Sequence, residues 1–266
     1  MLQVSLTLST PTLWFFALCA VLVPSWAAAY EHPFDVPWLK PVLSECRLQC
    51  PSTSNPLVRN GEFDGVTVDN HFYLVDNTTL AIGMDKDLGG RCELRHNPEW
   101  STESSTEIAM TGTVKIEPNN IEDFTFFQIH AKTYTPYQKG PLLRMVWTAN
   151  RYDILDHIWV NVRLNLDETS KQNRYYDLGP RPDGFFDAEI SAYGGLLQIW
   201  LNDELQLERN IDYWAPIQTN FFKTGTYLHG DLNGPQIVQY KELSMVTPES
   251  NVPRTPTTPP NCYHSR

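Results

Sequence analysis

The sequence predicts an all-β domain built as a sandwich, barrel or jelly roll. Three observations lead there. Short strand candidates follow one another closely through most of the chain. Turn signals such as Asp87-Leu88-Gly89-Gly90, Tyr193-Gly194-Gly195 and Leu201-Asn202-Asp203 separate them. No long segment carries the 3.6-residue period of an amphipathic helix. With 266 residues the chain can hold one large β domain or two small ones.

Residues 1–29 contain no charged side chain, and Leu13 to Val23 is an apolar run. Ala27-Ala28-Ala29 has the small-residue pattern of a signal-peptidase site. A basic residue near Met1 is missing, a departure from the usual signal pattern. The run is short for a membrane span and Pro24 interrupts it. We read 1–29 as a cleaved secretion signal, giving a secreted, extracellular chain with no membrane association after cleavage. Residues 30–246 then form one domain and 247–266 a Pro- and Thr-rich tail.

Tyr30 to Gly65 is rich in proline and turn residues, with a short helix expected around Val42–Leu48. Strands are expected at His71–Val75, Leu80–Met84, Arg91–His96, Glu107–Ile116, Thr125–Lys132, Leu142–Ala149, Ile158–Leu166, Phe185–Ala192, Leu196–Leu201, Phe221–His229 and Gln236–Met245. The formal charge of −11 falls entirely on the chain after residue 29 and argues against nucleic acid as a partner. An anionic ligand would need a local cluster of Arg and Lys against that field.

Once the signal and Cys19 are removed, Cys46, Cys50, Cys92 and Cys262 remain, enough for two disulfides. Cys46 and Cys50 are too close to bridge comfortably, and a helix there would hold the thiols badly. One is expected to reach Cys92 and the other Cys262. The spacing is not that of a zinc site, and no metal-ligand set is read elsewhere. Asn77-Thr78-Thr79 is a glycosylation sequon.

Three strand candidates place polar groups on one face at period two. Arg91, Glu93 and Arg95 alternate with Cys92 and Leu94, which are assigned to the core. Gln128 and His130 oppose Phe127 and Ile129. Phe221, Lys223, Gly225, Tyr227 and His229 oppose Phe222, Thr224, Thr226 and Leu228. Gly225 is read as leaving room for a ligand beside Tyr227. Arg144, on the Leu142–Ala149 candidate, joins the set as a substrate-binding residue. Collected on one sheet, these groups make a cationic groove with two proton-transfer residues. It suits removal of a proton next to a carboxylate, because the donors stabilise the enolate-like charge that develops.

Arg91-Cys92-Glu93-Leu94-Arg95, Gln128-Ile129-His130 and Phe222-Lys223-Thr224-Gly225-Thr226-Tyr227 resemble the three signature blocks of the alginate lyases of polysaccharide lyase family seven. They occur in the family's order, and Phe186–Leu207 resembles the hairpin before the last block. The resemblance implies a jelly-roll of two antiparallel sheets with substrate in a concave groove. It implies β-elimination on a polyuronate, alginate by default. That chemistry requires no cofactor, and the protein is expected to be a monomer. Gln128 and Arg95, joined by Arg91, would neutralise the uronate carboxylate. Tyr227 would be the acid, and also the base where proton and leaving group share a side. His130 would help neutralise the carboxylate or act as base where they do not. Glu93, Lys223, His229 and Arg144 would line the groove.

Phe221 stands where the family usually has tyrosine, His229 where it has glutamine, and Cys92 where it has Thr or Ser. These changes leave another polyuronate, such as glucuronan, open as substrate. The isoleucine of the Gln-Ile-His block favours guluronate-containing chains by analogy. A non-catalytic glycan-binding module of the same fold would not need Gln, His and Tyr together. A glycoside hydrolase needs two carboxylates flanking the bond, and the groove offers only Glu93 between two arginines.

Overall fold

A computed structural model describes residues 30–85, 87–119, 122–132, 140–167, 170–229 and 234–248. The expected signal and most of the tail, with Cys262, lie outside the described residues. Two seven-stranded antiparallel sheets form a jelly roll, as predicted. In chain order the strands are β1 (Cys46–Gln49), β2 (Phe72–Leu74), β3 (Leu80–Asp85), β4 (Arg91–His96), β5 (Ala109–Glu117), β6 (Asp123–Ala131) and β7 (Pro141–Arg151). They continue with β8 (Ile154–Arg163), β9 (Asn173–Pro180), β10 (Phe186–Tyr193), β11 (Leu196–Leu201), β12 (Glu204–Asn210), β13 (Asn220–His229) and β14 (Pro235–Val246). The first sheet runs β1-β4-β13-β6-β7-β8-β9 and the second β12-β11-β10-β5-β14-β3-β2.

The inner faces pack because the alternation is consistent. On β13, Phe222, Thr224, Thr226 and Leu228 are buried, and the Thr224 hydroxyl lies 2.8 Å from the Tyr240 hydroxyl on β14. Burying side chains the size of Phe222, Phe124 and Phe72 contributes about 1.5–3 kcal/mol each. That inner layer fixes which way the alternate residues point.

The entry segment differs from expectation. The helix α1 spans Leu39–Ser44, with Leu39, Val42 and Leu43 buried at helical spacing. The chain then becomes β1, whose Cys46 and Leu48 alternate into the core. The expected helix over Val42–Leu48 therefore ends early, and Arg47 joins the outer face of the first sheet. Strands β9 and β12, at the sheet edges, are absent from the predicted set.

Cys50 bonds Cys92, closing a separation of 42 residues. Cys46 is a buried free thiol among the described residues, with burial pushing its pKa well up. One of the two early cysteines thus reaches Cys92, as expected. The expected second bond to Cys262 falls outside the described residues.

Candidate active site

Register brings the three predicted blocks together. Strands β4, β13, β6 and β7 are consecutive neighbours. Lys223 on β13 stands opposite Arg95 on one side and Gln128 on the other. Gln128 faces Arg144 on β7. The same line extends to Arg47 on β1 and to Asn161 and Tyr175 on β8 and β9. Directly opposed residues share a face, so donors from seven strands form one row across the sheet. Tyr227 lies along β13 opposite Arg91 and Thr125.

Two irregularities shape this face. The β6–β7 register shifts between Thr125 and Phe127, and both Phe126 and Phe127 turn inward. Phe126 meets Phe186 of β10 edge-on at 6.4 Å, while a Cβ on Gly112 of β5 would come within 3.2 Å of the Phe127 ring. The shift returns Thr125 to the outer face, where its hydroxyl is 2.9 Å from His229 Nε2. The second irregularity is Gly225, with φ +132. A Cβ there would run into the Cys92 carbonyl oxygen on β4. The glycine therefore serves the backbone rather than clearing space for a sugar, which corrects the reading from sequence.

A buried floor lies beneath the groove. Glu93, Lys223, Gln128 and Arg95 are all buried. Lys223 Nζ donates to Glu93 Oε2 at 2.5 Å, Arg91 donates to the same oxygen at 3.0 Å, and Gln128 Nε2 donates to Glu93 Oε1. Burial pushes the Glu93 pKa up. The Lys223 and Arg91 charges, with the hydrogen bonds from Lys223 and Gln128, outweigh that and hold it below the usual carboxylate range. Glu93 and Lys223 were expected to line the groove; the structure makes them a closed pair under it. Gln128 spends one N–H on Glu93 and keeps a second, and its Oε1 has no hydrogen-bond partner.

The rim is half-exposed. The Arg91 guanidinium lies 3.8 Å from the centre of the Tyr227 ring and that of Arg144 5.4 Å from it. The His229 ring is 4.3 Å from Tyr227. His130 stacks on Phe221 at 5.3 Å and 18°. Its Nδ1 is 2.8 Å from the Ala131 carbonyl oxygen. A carbonyl can only accept, so Nδ1 carries the hydrogen and Nε2 the lone pair. Burial, with Lys223 and Arg144 nearby, pushes the His130 pKa down from 6.5 to about 4, so the ring is neutral near pH 7.

Arg95 occupies a different end of the site from Arg91. It lies 4.0 Å over the Phe221 ring, donates to Glu99 at 2.6 Å and to the Asn97 carbonyl at 3.3 Å. Alternation made the two arginines equivalent in the sequence; register puts Arg91, not Arg95, on the tyrosine. Among the described residues, no cluster of three or more His, Cys, Asp or Glu could hold a metal.

A family model described as "Alginate lyase" matches residues 42–247. The chain belongs to the alginate lyase family. It is a polysaccharide lyase. An alginate lyase from Photobacterium sp. (strain ATCC 43367) is 27% identical over 199 residues, 63% of this chain and 69% of that protein. Among solved structures, the alginate lyase AlyC3 is similar with a TM-score of 0.72 at 22% identity, covering 82% of this chain and 96% of that one. That lyase has also been solved with dimannuronate. The alginate lyase PA1167 of Pseudomonas aeruginosa gives a TM-score of 0.63 at 22% identity, over 77% of this lyase and 98% of its own chain. These structural likenesses carry the fold, and the internal geometry must carry the roles of individual residues.

The same sheet face carries polar residues outside the set expected from the sequence. Arg47 was hidden in an expected helix. Asn161 and Arg163 lie on a correctly expected strand but match no signature block. Tyr175 sits on the missed β9. Only the strand register could have drawn them in.

Proposed function

We propose that this lyase cleaves alginate by β-elimination in the groove over β4, β13, β6 and β7. The observation that carries the reading is Tyr227 set beside two guanidiniums, on the face that also holds a neutral His130. A uronate carboxylate would accept from Arg91 and from the second N–H of Gln128, with Arg144 beside them and Arg95 further along. With its charge neutralised, the C5 proton can be removed. His130 Nε2 takes it when proton and leaving oxygen lie on opposite sides of the ring, and Tyr227 takes it when they share a side. The electron pair forms the C4=C5 bond as the C4–O bond breaks. Tyr227 delivers a proton to the departing oxygen. His229, held by Thr125, packs against Tyr227 and helps fix its ring.

Alginate is favoured because the Photobacterium relative and AlyC3 are named for it, and Ile129 favours guluronate-containing chains. We further propose export through residues 1–29 and glycan attachment at Asn77. That residue is exposed, while Thr79 of its sequon is pinned by Asp76 at 3.0 Å.

The test is to incubate the protein with alginate, polymannuronate, polyguluronate and glucuronan and follow ultraviolet absorbance of the unsaturated uronate. Absorbance should rise with alginate and its guluronate-containing blocks. A rise with glucuronan alone would move the substrate. No rise with any polymer, from folded protein, would return the groove to a glycan-binding role.

A further inference from the structure

A second basic cavity opens beside the rim, at the β7–β8–β9 end of the same face. It measures about 140 Å³ and is lined by Gly140, Arg144, Asn161, Arg163, Lys171 and Asn173, together with Pro141. Three cations and two amides surround it, and none of its described lining residues is a carboxylate. None of the three signature blocks reaches it.

We propose that this cavity is a second carboxylate subsite, taking the uronate two sugars away from the one received by Arg91 and Gln128. The assignment rests on the polyuronate reading above. Strands lie about 4.8 Å apart, close to one pyranose repeat, so a sugar chain laid across the strands meets roughly one strand per sugar. Gln128 is on β6 and Asn161 on β8, two strands on in the same cross-sheet row. In a two-fold uronan ribbon every second carboxylate faces the same way. The next carboxylate to face the sheet therefore arrives over β8.

The cavity is built to hold donors in place. Arg163 is buried, with Nε donating to the Asn165 carbonyl at 2.8 Å and a terminal nitrogen to the Asp167 carbonyl at 3.1 Å. Those bonds fix the plane of the guanidinium. Gly140, at φ +142, passes close by: a Cβ there would stand 3.3 Å from the guanidinium nitrogen. Arg144 links the cavity to the reaction centre, because its guanidinium also lies over Tyr227 and its Nε is buried without a hydrogen-bond partner. Lys171 is exposed at the mouth.

The test uses Lys171→Ala and Asn161→Ala in the full chain, with Arg163→Lys as a third variant that keeps the charge and loses the fork. Kinetics and calorimetric binding are measured on oligouronates of increasing length, the binding arm in a Tyr227→Phe background so that ligand persists. Oligomers long enough to reach β8 should lose roughly tenfold in affinity and in kcat/KM, through KM rather than kcat, as expected for one charged hydrogen bond. Shorter ones should be unchanged. Equal losses at all lengths, or none, would overturn the subsite. If the lyase turned over no uronan at all, the reaction assignment would fall. The binding arm would still decide the subsite: a length-dependent loss in Lys171→Ala keeps it, and length-independent binding removes it.

Discussion

The floor and the rim of the groove use the same residue types in opposite ways. In the floor, Glu93, Lys223 and Gln128 are buried and bonded to one another. In the rim, Arg91, Arg144, His130 and Tyr227 are half-exposed and meet through ring faces and single contacts. A buried charge is tolerated only when its partners are complete, and Glu93 has three donors. The floor's charges are therefore committed to each other and set geometry. The rim keeps lone pairs and N–H groups for a ligand. Changes at Glu93 and Lys223 should be read in stability and changes in the rim in turnover, while Gln128, bonded to Glu93 with a second N–H to spare, serves both.

The sharpest way to break that division is in the floor. Glu93→Ala strands Lys223 in a buried site and should cost about 3–5 kcal/mol of folding stability, measured by denaturant unfolding. Replacing both Glu93 and Lys223 by methionine removes the stranded charge and should recover most of that loss. Because folding holds the Glu93 pKa below its ordinary value, its contribution is fully present above about pH 4.3. It is lost as pH falls through the lower folded-state value. If the single variant unfolded at the same denaturant concentration as the parent, the floor would not be structural.

In the rim, Tyr227→Phe keeps the ring between Arg91 and Arg144 and removes only the hydroxyl. Turnover should fall at least roughly 10²-fold, the scale of a lost general acid or base, while polymer binding and unfolding stay close to the parent. Near-normal initial rates would reduce Tyr227 to a stacking platform and reopen the glycan-binding reading.

His130 sharpens the comparison through pH. A neutral imidazole is needed for it to accept a proton at Nε2, and its pKa is pushed down to about 4. Burial is the main cause, Lys223 and Arg144 act in the same direction, and the Ala131 carbonyl and Glu93 oppose them. On guluronate-containing substrate, the acid limb of kcat/KM that belongs to His130 should fall near pH 4 and disappear in His130→Asn. An acid limb centred near 6.5 and lost in that variant would mean that the site does not depress the His130 pKa.

Much of this division was invisible in the sequence for one physical reason. Period two tells which residues share a face, and it placed Lys223 with Tyr227 and Gln128 with His130. It says nothing of depth or of which strand lies opposite. Arg91 and Arg95 are equivalent by alternation, yet one pairs across to Tyr227 and the other to Lys223. Phe126 breaks the alternation because the β6 bulge lets two adjacent rings enter the core. Strands β9 and β12 went unread because both are edge strands with mostly exposed or half-exposed side chains, so no apolar period marks them. The fold class needed only the turns and the alternation; the site needed register.

The smallest predicted effect lies where floor and rim meet, at Arg95. Its guanidinium is held by Glu99 at 2.6 Å, and Lys132 approaches the same carboxylate at 3.4 Å. Glu99 is therefore an internal competitor for a substrate carboxylate at this end of the groove. It could instead be the group that orients Arg95. Two contacts argue against that: Arg95 also rests on the Phe221 ring and donates to the Asn97 carbonyl, and neither depends on Glu99. Partly exposed pairs of this kind contribute about 0.2–1 kcal/mol, so the expected change is small. Glu99→Gln should lower KM for polyuronate by roughly 1.5- to 5-fold with kcat unchanged. The gain should shrink at high salt, where the competing charge is screened. A rise in KM would show that Glu99 positions Arg95 instead of competing with substrate for it.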